Sequence, residues 1–318
     1  METTPVIPAA LSGAQWPIAA GDHRAVVVEV GGGLRTYEVA GESVVDGYAE
    51  DELCPGAAGQ VLAPWPNRIR DGRYSFDGVD HQLPLTEPSR HNAAHGLVQW
   101  LPWSRVAASE DSVTVECVLP AQPGYPWPLR LRTTWSVGID GLRAAHEATN
   151  LGRTPAPFGF GAHPYVRLPG VRVDDTLLHL PARQRLLVDA RLLPIGVTPV
   201  DGAYDFTTPR RIGAVALDSA YGGLSHDDAG TTRVTLSTSD GSRRVTVWAD
   251  RSFRWWQVYT GDTLPPERAR RSVAVEPMTC PPDAYRSGRD LVVLAPGESW
   301  RGTWGIRPEL GRESDGVP

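Results

Sequence analysis

The chain has 318 residues, a formal charge of −6, 41% hydrophobic residues and 21% charged ones. That balance suits a globular core rather than a disordered chain, and its acidic sign argues against general nucleic-acid binding, which needs a basic face. No apolar run approaches the ~20 residues of a membrane span. Met1-Glu-Thr-Thr-Pro5 lacks the basic and apolar regions of a signal peptide. Cys54, Cys117 and Cys280 are odd in number and have no paired spacing. They predict reduced thiols in a cytoplasmic protein rather than disulfides or a structural zinc site.

In chain order, residues 25–30 and 34–39 flank Gly31-Gly-Gly33 and predict a hairpin. Residues 51–67 are irregular and rich in Gly and Pro, ending in Ala63-Pro-Trp-Pro-Asn-Arg68. Residues 74–78 and 79–83 predict another strand pair, and 113–119 alternate as a strand does. Residues 129–137 and 142–150 flank Gly138-Ile-Asp-Gly141, and 233–239 and 244–248 flank Asp240-Gly241; both predict hairpins. Short strands are expected within 171–199, at 273–276, and at 291–294 and 300–306 around Pro296-Gly297. No segment keeps a 3.6-residue period with caps, so helices should be few and short. The expectation is one all-β domain over residues 1–310, a large antiparallel sandwich or barrel, with a flexible tail over 311–318. Most of the 11 tryptophans should serve the sheet core.

The stretch Phe158-Gly-Phe-Gly-Ala-His-Pro-Tyr165 sets a histidine between a glycine-rich approach and a proline. The glycines allow backbone or ligand to come close, and Pro164 biases His163 toward extended backbone. A backbone-aimed imidazole of this kind suits proton transfer near neutral pH, though a structural histidine at a strand end fits too. His91 and His95 are four apart, as metal ligands on a helix are, but Asn92 and Gly96 speak against a metalloprotease-like helix. His95 fits better as a ligand-facing histidine at a loop junction, or as a packed one. Asn67 and Arg68 offer directed donors for hydroxyls or carboxylates, unless Arg68 is simply an exposed loop cation. Glu276, ending an apolar strand before Pro277, is either a solvated strand end or a carboxylate with a tuned pKa. Gln257, amid Arg254-Trp-Trp-Gln-Val-Tyr-Thr-Gly261, combines aromatic faces with an amide, which suits a sugar as well as a buried strand. Phosphate-loop, dinucleotide and serine-elbow signatures are absent from the sequence.

Taken in order, Asn67-Arg-Ile69, Asp77-Gly78, His95-Gly96, Gly161-Ala-His-Pro-Tyr165, Leu217-Asp218, Gln257-Val-Tyr-Thr-Gly261 and Ala274-Val-Glu-Pro-Met278 with Pro282-Asp-Ala284 resemble the aldose 1-epimerase (galactose mutarotase) family. The resemblance runs from about residue 60 to the final strand. It implies the family's large antiparallel β-sandwich, the galactose mutarotase-like supersandwich, with few short helices. It also implies interconversion of the anomers of a free aldose without metal or organic cofactor. Carried over by motif, Glu276 is the general base, His163 the general acid and His95 an assistant at the ring oxygen. Asn67, Arg68, Asp218 and Gln257 hold hydroxyls, and Tyr165 lines the pocket. Galactose-type members carry a further arginine where this chain has Pro64-Trp65-Pro66, so Trp65 is expected to stack in or reshape the pocket. Competing readings are a non-catalytic sugar-binding protein and an epimerase of a phosphorylated or sulfonated hexose. The latter needs a cationic clamp, for which Arg268, Arg270 and Arg271 are the candidates, although a solvated loop suits them as well.

Overall fold

Alternation of apolar and polar side chains along the strands decides which faces are buried. In Leu129–Gly138, Leu129, Leu131, Thr133, Trp135 and Val137 point inward, and the residues between them are more exposed. The computed structural model describes residues 10–311. The expected 311–318 tail therefore lies outside the described residues except for Gly311, as does the Met1–Pro5 stretch read for a leader.

A nine-stranded antiparallel sheet runs in the order Ser104–Ala108, Ser112–Leu119, Leu129–Gly138, Gly141–Asn150, Ser299–Leu310, Arg243–Ala249, Thr232–Ser237, Leu177–His179 and Arg210–Arg211. A second sheet is ordered Pro194–Pro199, Ala182–Val188, Asp218–Leu224, Trp255–Tyr259, Val273–Met278, Gly161–Ala162 and Val61–Leu62, with Tyr165–Val166 also paired to Val273–Met278. A four-stranded sheet holds Gln15–Ala20 through Glu42–Ser43. Among the described residues the single α-helix is Ala284–Ser287, and no helix is long and apolar enough to cross a membrane.

The predicted hairpins form. Gly138 faces Gly141 across a two-residue loop, and Gly141 has φ +130°, where a side chain would be strained. Residues 291–294 and 300–306 do not pair with each other. Val292–Leu294 pairs with Ala156–Phe158, and Ser299–Leu310 inserts between Gly141–Asn150 and Arg243–Ala249. The main apolar core among the described residues is built from the inner faces of both large sheets, including Val245 and Val247 from one and Trp256, Val258 and Val275 from the other; smaller clusters lie around Tyr165 and around Trp255. Most tryptophans are buried there, as expected from composition; Trp100 is exposed.

One core histidine has a definable tautomer. Trp304 Nε1–H donates to His146 Nε2 at 2.8 Å, so the ring proton sits on Nδ1, 2.9 Å from Thr133 Oγ1. Burial pushes the His146 pKa down to about 3. The folded state therefore holds this ring neutral while the unfolded chain protonates it below about 6.5. Its contribution is complete above that value and is lost as pH falls, by up to about 1.4 kcal/mol per unit. Denaturant unfolding at pH 7 and pH 5 should show a smaller loss on acidification for His146→Gln than for wild type; equal losses would contradict the assignment.

Candidate active site

Three adjacent strands set the floor of a cleft. Gln257 lies opposite Glu276, Tyr259 lies opposite both Asp218 and Ala274, and Ala220 lies opposite Gln257. Opposed residues share a face, so Asp218, Gln257, Tyr259 and Glu276 project to the same side. The alternate residues Trp256, Val258, Val273 and Val275 enter the core. The cleft volume is about 510 Å³, within the roughly 300–1,000 Å³ usual for small-molecule sites.

The walls come from loops pinned by main-chain bonds. His163 N–H donates to Gln60 O at 3.1 Å, Gly59 N–H donates to His163 O at 2.9 Å, and Val275 N–H donates to Pro164 O at 3.1 Å. Gly159 and Gly161 are approached by core side chains rather than by a ligand: a β-carbon at Gly159 would meet Cys280 Sγ, and one at Gly161 would meet Pro66 Cβ. Tyr165 follows on the strand, its hydroxyl donating to Gly56 O at 3.1 Å and its ring 4.9 Å from that of His163. Opposite stands His95, with φ +63°, its N–H donating to Asn67 O at 2.8 Å and its ring edge-on to His163 at 5.5 Å. His91 points elsewhere, to Asp71 on the surface. The segment between the two histidines, Asn92–Ala94, is a strand paired with Arg68–Arg70.

His163 Nε2 and Glu276 Oε1 approach to 3.3 Å. Burial, with Asp218 adding to it and Arg68 opposing, raises the Glu276 pKa well above the ordinary carboxylate value. Burial, with Arg68, lowers His163 to about 4, and burial lowers His95 well below its usual value. Burial raises Asp218 against the pull of Arg68 and of the hydrogen bond that Gln257 Nε2 donates to it. Glu276 Oε2, Gln257 Oε1 and His95 Nδ1 have no protein partner, a costly condition for buried polar atoms outside a binding site.

Every nominated site residue except Trp65 lines this cleft. Trp65, 2% exposed, packs edge-on to Tyr285 at 5.7 Å in the core, where burial of the ring outweighs an Nε1–H left without a partner. It does not stack in the pocket. Arg268, Arg270 and Arg271 also lie outside the lining. Arg268 forks onto Glu52, Arg270 binds Asp174 and Asp262, and Arg271 binds Asp46. They form neither an anion clamp in the cleft nor a free solvated loop. Sequence reasoning missed Glu87, Arg90, Gln60, Gln99 and Trp100, all in the lining. Glu87 falls between the strand pair ending at residue 83 and His91, where the sequence predicts no element, and the motif spacing carries no signal for it.

The architecture matches solved structures closely. The GalM/aldose epimerase homologue of Caenorhabditis elegans superposes with a TM-score of 0.83 at 18% identity, over 94% of this chain and 99% of that one. Galactose 1-epimerase from Lactobacillus acidophilus NCFM gives 0.77 at 21%, over 92% of each chain. The fold is thus of the galactose mutarotase-like β-sandwich class. A family model described as aldose 1-epimerase matches residues 16–307, and the chain belongs to that family. It is 35% identical over 292 residues to the uncharacterized protein YihR of Escherichia coli K12, spanning 91% of this chain and 92% of YihR. Galactose mutarotase of Rattus norvegicus is 30% identical over 199 residues, 59% of this chain and 56% of that protein.

Gly96 holds His95 in place: its φ is +81°, and a β-carbon there would overlap the Ala63 backbone. Gly96→Ala should lose about 2 kcal/mol or more of stability in denaturant unfolding. A wild-type midpoint would show that the close approach relaxes freely.

Proposed function

We propose that this protein is a mutarotase that interconverts the α and β anomers of a free aldose by acid/base ring opening and reclosure. The observation that carries the reading is the buried Glu276–His163 contact of 3.3 Å at the floor of a polar cleft. Opening a pyranose ring removes a proton from the anomeric hydroxyl and adds one to the ring oxygen. With one proton shared by the pair, the Glu276 carboxylate accepts the hydroxyl proton and the His163 imidazolium protonates the ring oxygen. The C1–O5 bond breaks and the aldehyde forms. The pair is left as Glu276 acid and neutral His163. After rotation about C1–C2, His163 takes the proton from the released hydroxyl, O5 attacks either face of the aldehyde, and Glu276 returns its proton to the carbonyl oxygen. The cycle therefore runs on one proton and needs no further reactant.

Burial favours the tautomer with the proton on Glu276, and transfer across the 3.3 Å contact supplies the other. In this reading Arg68, Asn67, Asp218 and Gln257 hold hydroxyls and Tyr165 and Tyr259 offer ring faces, which their common position in the cleft lining supports. In the same reading His95, neutral and beside His163, binds near the ring oxygen.

Polarimetry of freshly dissolved α-glucose and α-galactose tests the reading. Wild type should speed the approach to equilibrium rotation. Glu276→Gln should lower kcat on the order of 10³-fold and His163→Asn on the order of 10²-fold, with sugar affinity retained. Binding without acceleration of any aldose in a wider panel would instead identify a sugar-binding protein. Competition by hexose 6-phosphate stronger than by free hexose would favour an anionic substrate.

The pH dependence is a separate expectation. Below about 4 the His163–Glu276 pair takes up a second proton and loses its base; only above the raised value of Glu276 does it lose its acid. The kcat/KM profile should therefore have an acid limb near 4 and an alkaline limb set by the raised Glu276 value. A limb centred near 6.5 would mean that His163 titrates as an ordinary imidazole.

A further inference from the structure

Glu87 stands out among the groups to which the proposed reaction assigns no role. Its carboxylate accepts four side-chain donors: Arg68 Nε at 2.8 Å and Asn92 Nδ2 at 3.0 Å on Oε2, Arg68 Nη2 at 3.0 Å and Arg90 Nη1 at 2.8 Å on Oε1. Its main chain exchanges both bonds with Asn92, at 3.0 and 3.1 Å. The loop between them is held from behind by Arg191, which donates to the carbonyls of Arg90 and His91 at 2.9 and 2.7 Å and to Asp71 at 2.7 Å. The Glu87 side chain is only 15% exposed. A carboxylate so anchored is a fixed point, and little of its acceptor capacity remains for a sugar.

Arg68 is the group that gains from this. Two parallel N–H···O bonds fix both the position and the plane of a guanidinium. The fork takes Nε and Nη2, leaving Nη1, which reaches Asn67 Oδ1 at 3.3 Å, on the far side from Glu87. Arg68 lines the same cleft as His163, Asp218 and Glu276.

We propose that Glu87 is a positioning residue: it aims Arg68 at a substrate hydroxyl and governs sugar affinity through Arg68 rather than by touching the sugar. The proposal rests on the reading of the cleft as a sugar site. An Arg68 that is no longer aimed holds the sugar less well, so KM and Kd rise, while its charge near Glu276 and His163 stays in place and kcat changes little.

The test compares Glu87→Gln, Glu87→Asp, Arg68→Ala and the Arg68→Ala/Glu87→Gln double variant by polarimetry. In parallel, the dissociation constant of the same aldose is measured by calorimetry, with circular dichroism to verify folding. Glu87→Gln should raise KM and Kd about tenfold with kcat changed less than about threefold. Glu87→Asp, which keeps the charge but shortens the reach, should fall between it and wild type. The double variant should be no weaker than Arg68→Ala alone, since Glu87 then has nothing left to aim. An unchanged KM in folded Glu87→Gln, a loss confined to kcat, or additive losses in the double variant would overturn the proposal. Should Glu87→Gln fail to fold, Glu87→Asp with its own Arg68→Ala double carries the same comparison. If wild type binds sugar but turns none over, the mutarotase reading fails while the Kd series still judges Glu87; if it binds no aldose at all, both fall together.

Discussion

Removal of the Glu276 carboxylate from water is the constraint on which the cleft depends. At 2% exposure it sits on Val273–Met278, next to the strand of Gln257, in a register that brings Gln257 and Asp218 to the same face. A second carboxylate nearby makes ionisation harder, and the nearest cation, Arg68, is already engaged by Glu87. The imidazole of His163 is likewise buried and held from charging. In the proposed reaction, these two groups, each resisting ionisation and 3.3 Å apart, form a couple in which a proton moves without changing the net charge. Hydrogen bonds to bulk water would level that balance, so the walls matter as much as the pair.

The rest of the molecule serves to keep that floor flat and those walls still. One face of the second sheet is committed to the core with the nine-stranded sheet, which leaves the other face free to carry polar groups. The loops bearing His163, His95 and Arg68 are tied to one another through main-chain bonds, residues 59–60 to His163 and Asn67 to His95. Beyond the rim, Arg268 and Arg271 bind the 46–52 segment while Arg270 binds Asp174. The loop that contributes Thr263 and Leu264 to the lining is thereby fastened to its surroundings.

Local chemistry made much of this legible. Turns such as 138–141 and 240–241 announce their hairpins because glycine at positive φ and short polar connections leave few alternatives. Pairings between distant segments do not announce themselves: nothing in residues 299–310 indicates that they insert between strands more than 50 and 150 residues away. The site follows the same division. His163, Glu276 and Gln257 stand in motifs whose order carries the resemblance, and they meet in one cleft. Trp65 was nominated where the chain departs from that pattern, and which side of the chain a residue faces in an irregular loop is set by tertiary packing. Glu87 was invisible for the opposite reason: an acidic residue in a polar loop is ordinary until Arg68 is known to lie beside it.

The acceptors of Glu276 and Gln257 that lack a protein partner carry a further consequence. A buried carboxylate and amide left partly unsatisfied are worse for folding than apolar side chains of like volume would be. Selection for a sturdier sandwich alone would therefore drift toward hydrophobic residues at these strand positions and would close the cleft as it did so. Their presence marks a place where robustness has been traded for chemistry. A thermostabilised descendant chosen without an activity screen would be expected to lose the floor of the cleft before it lost any of the sheets around it.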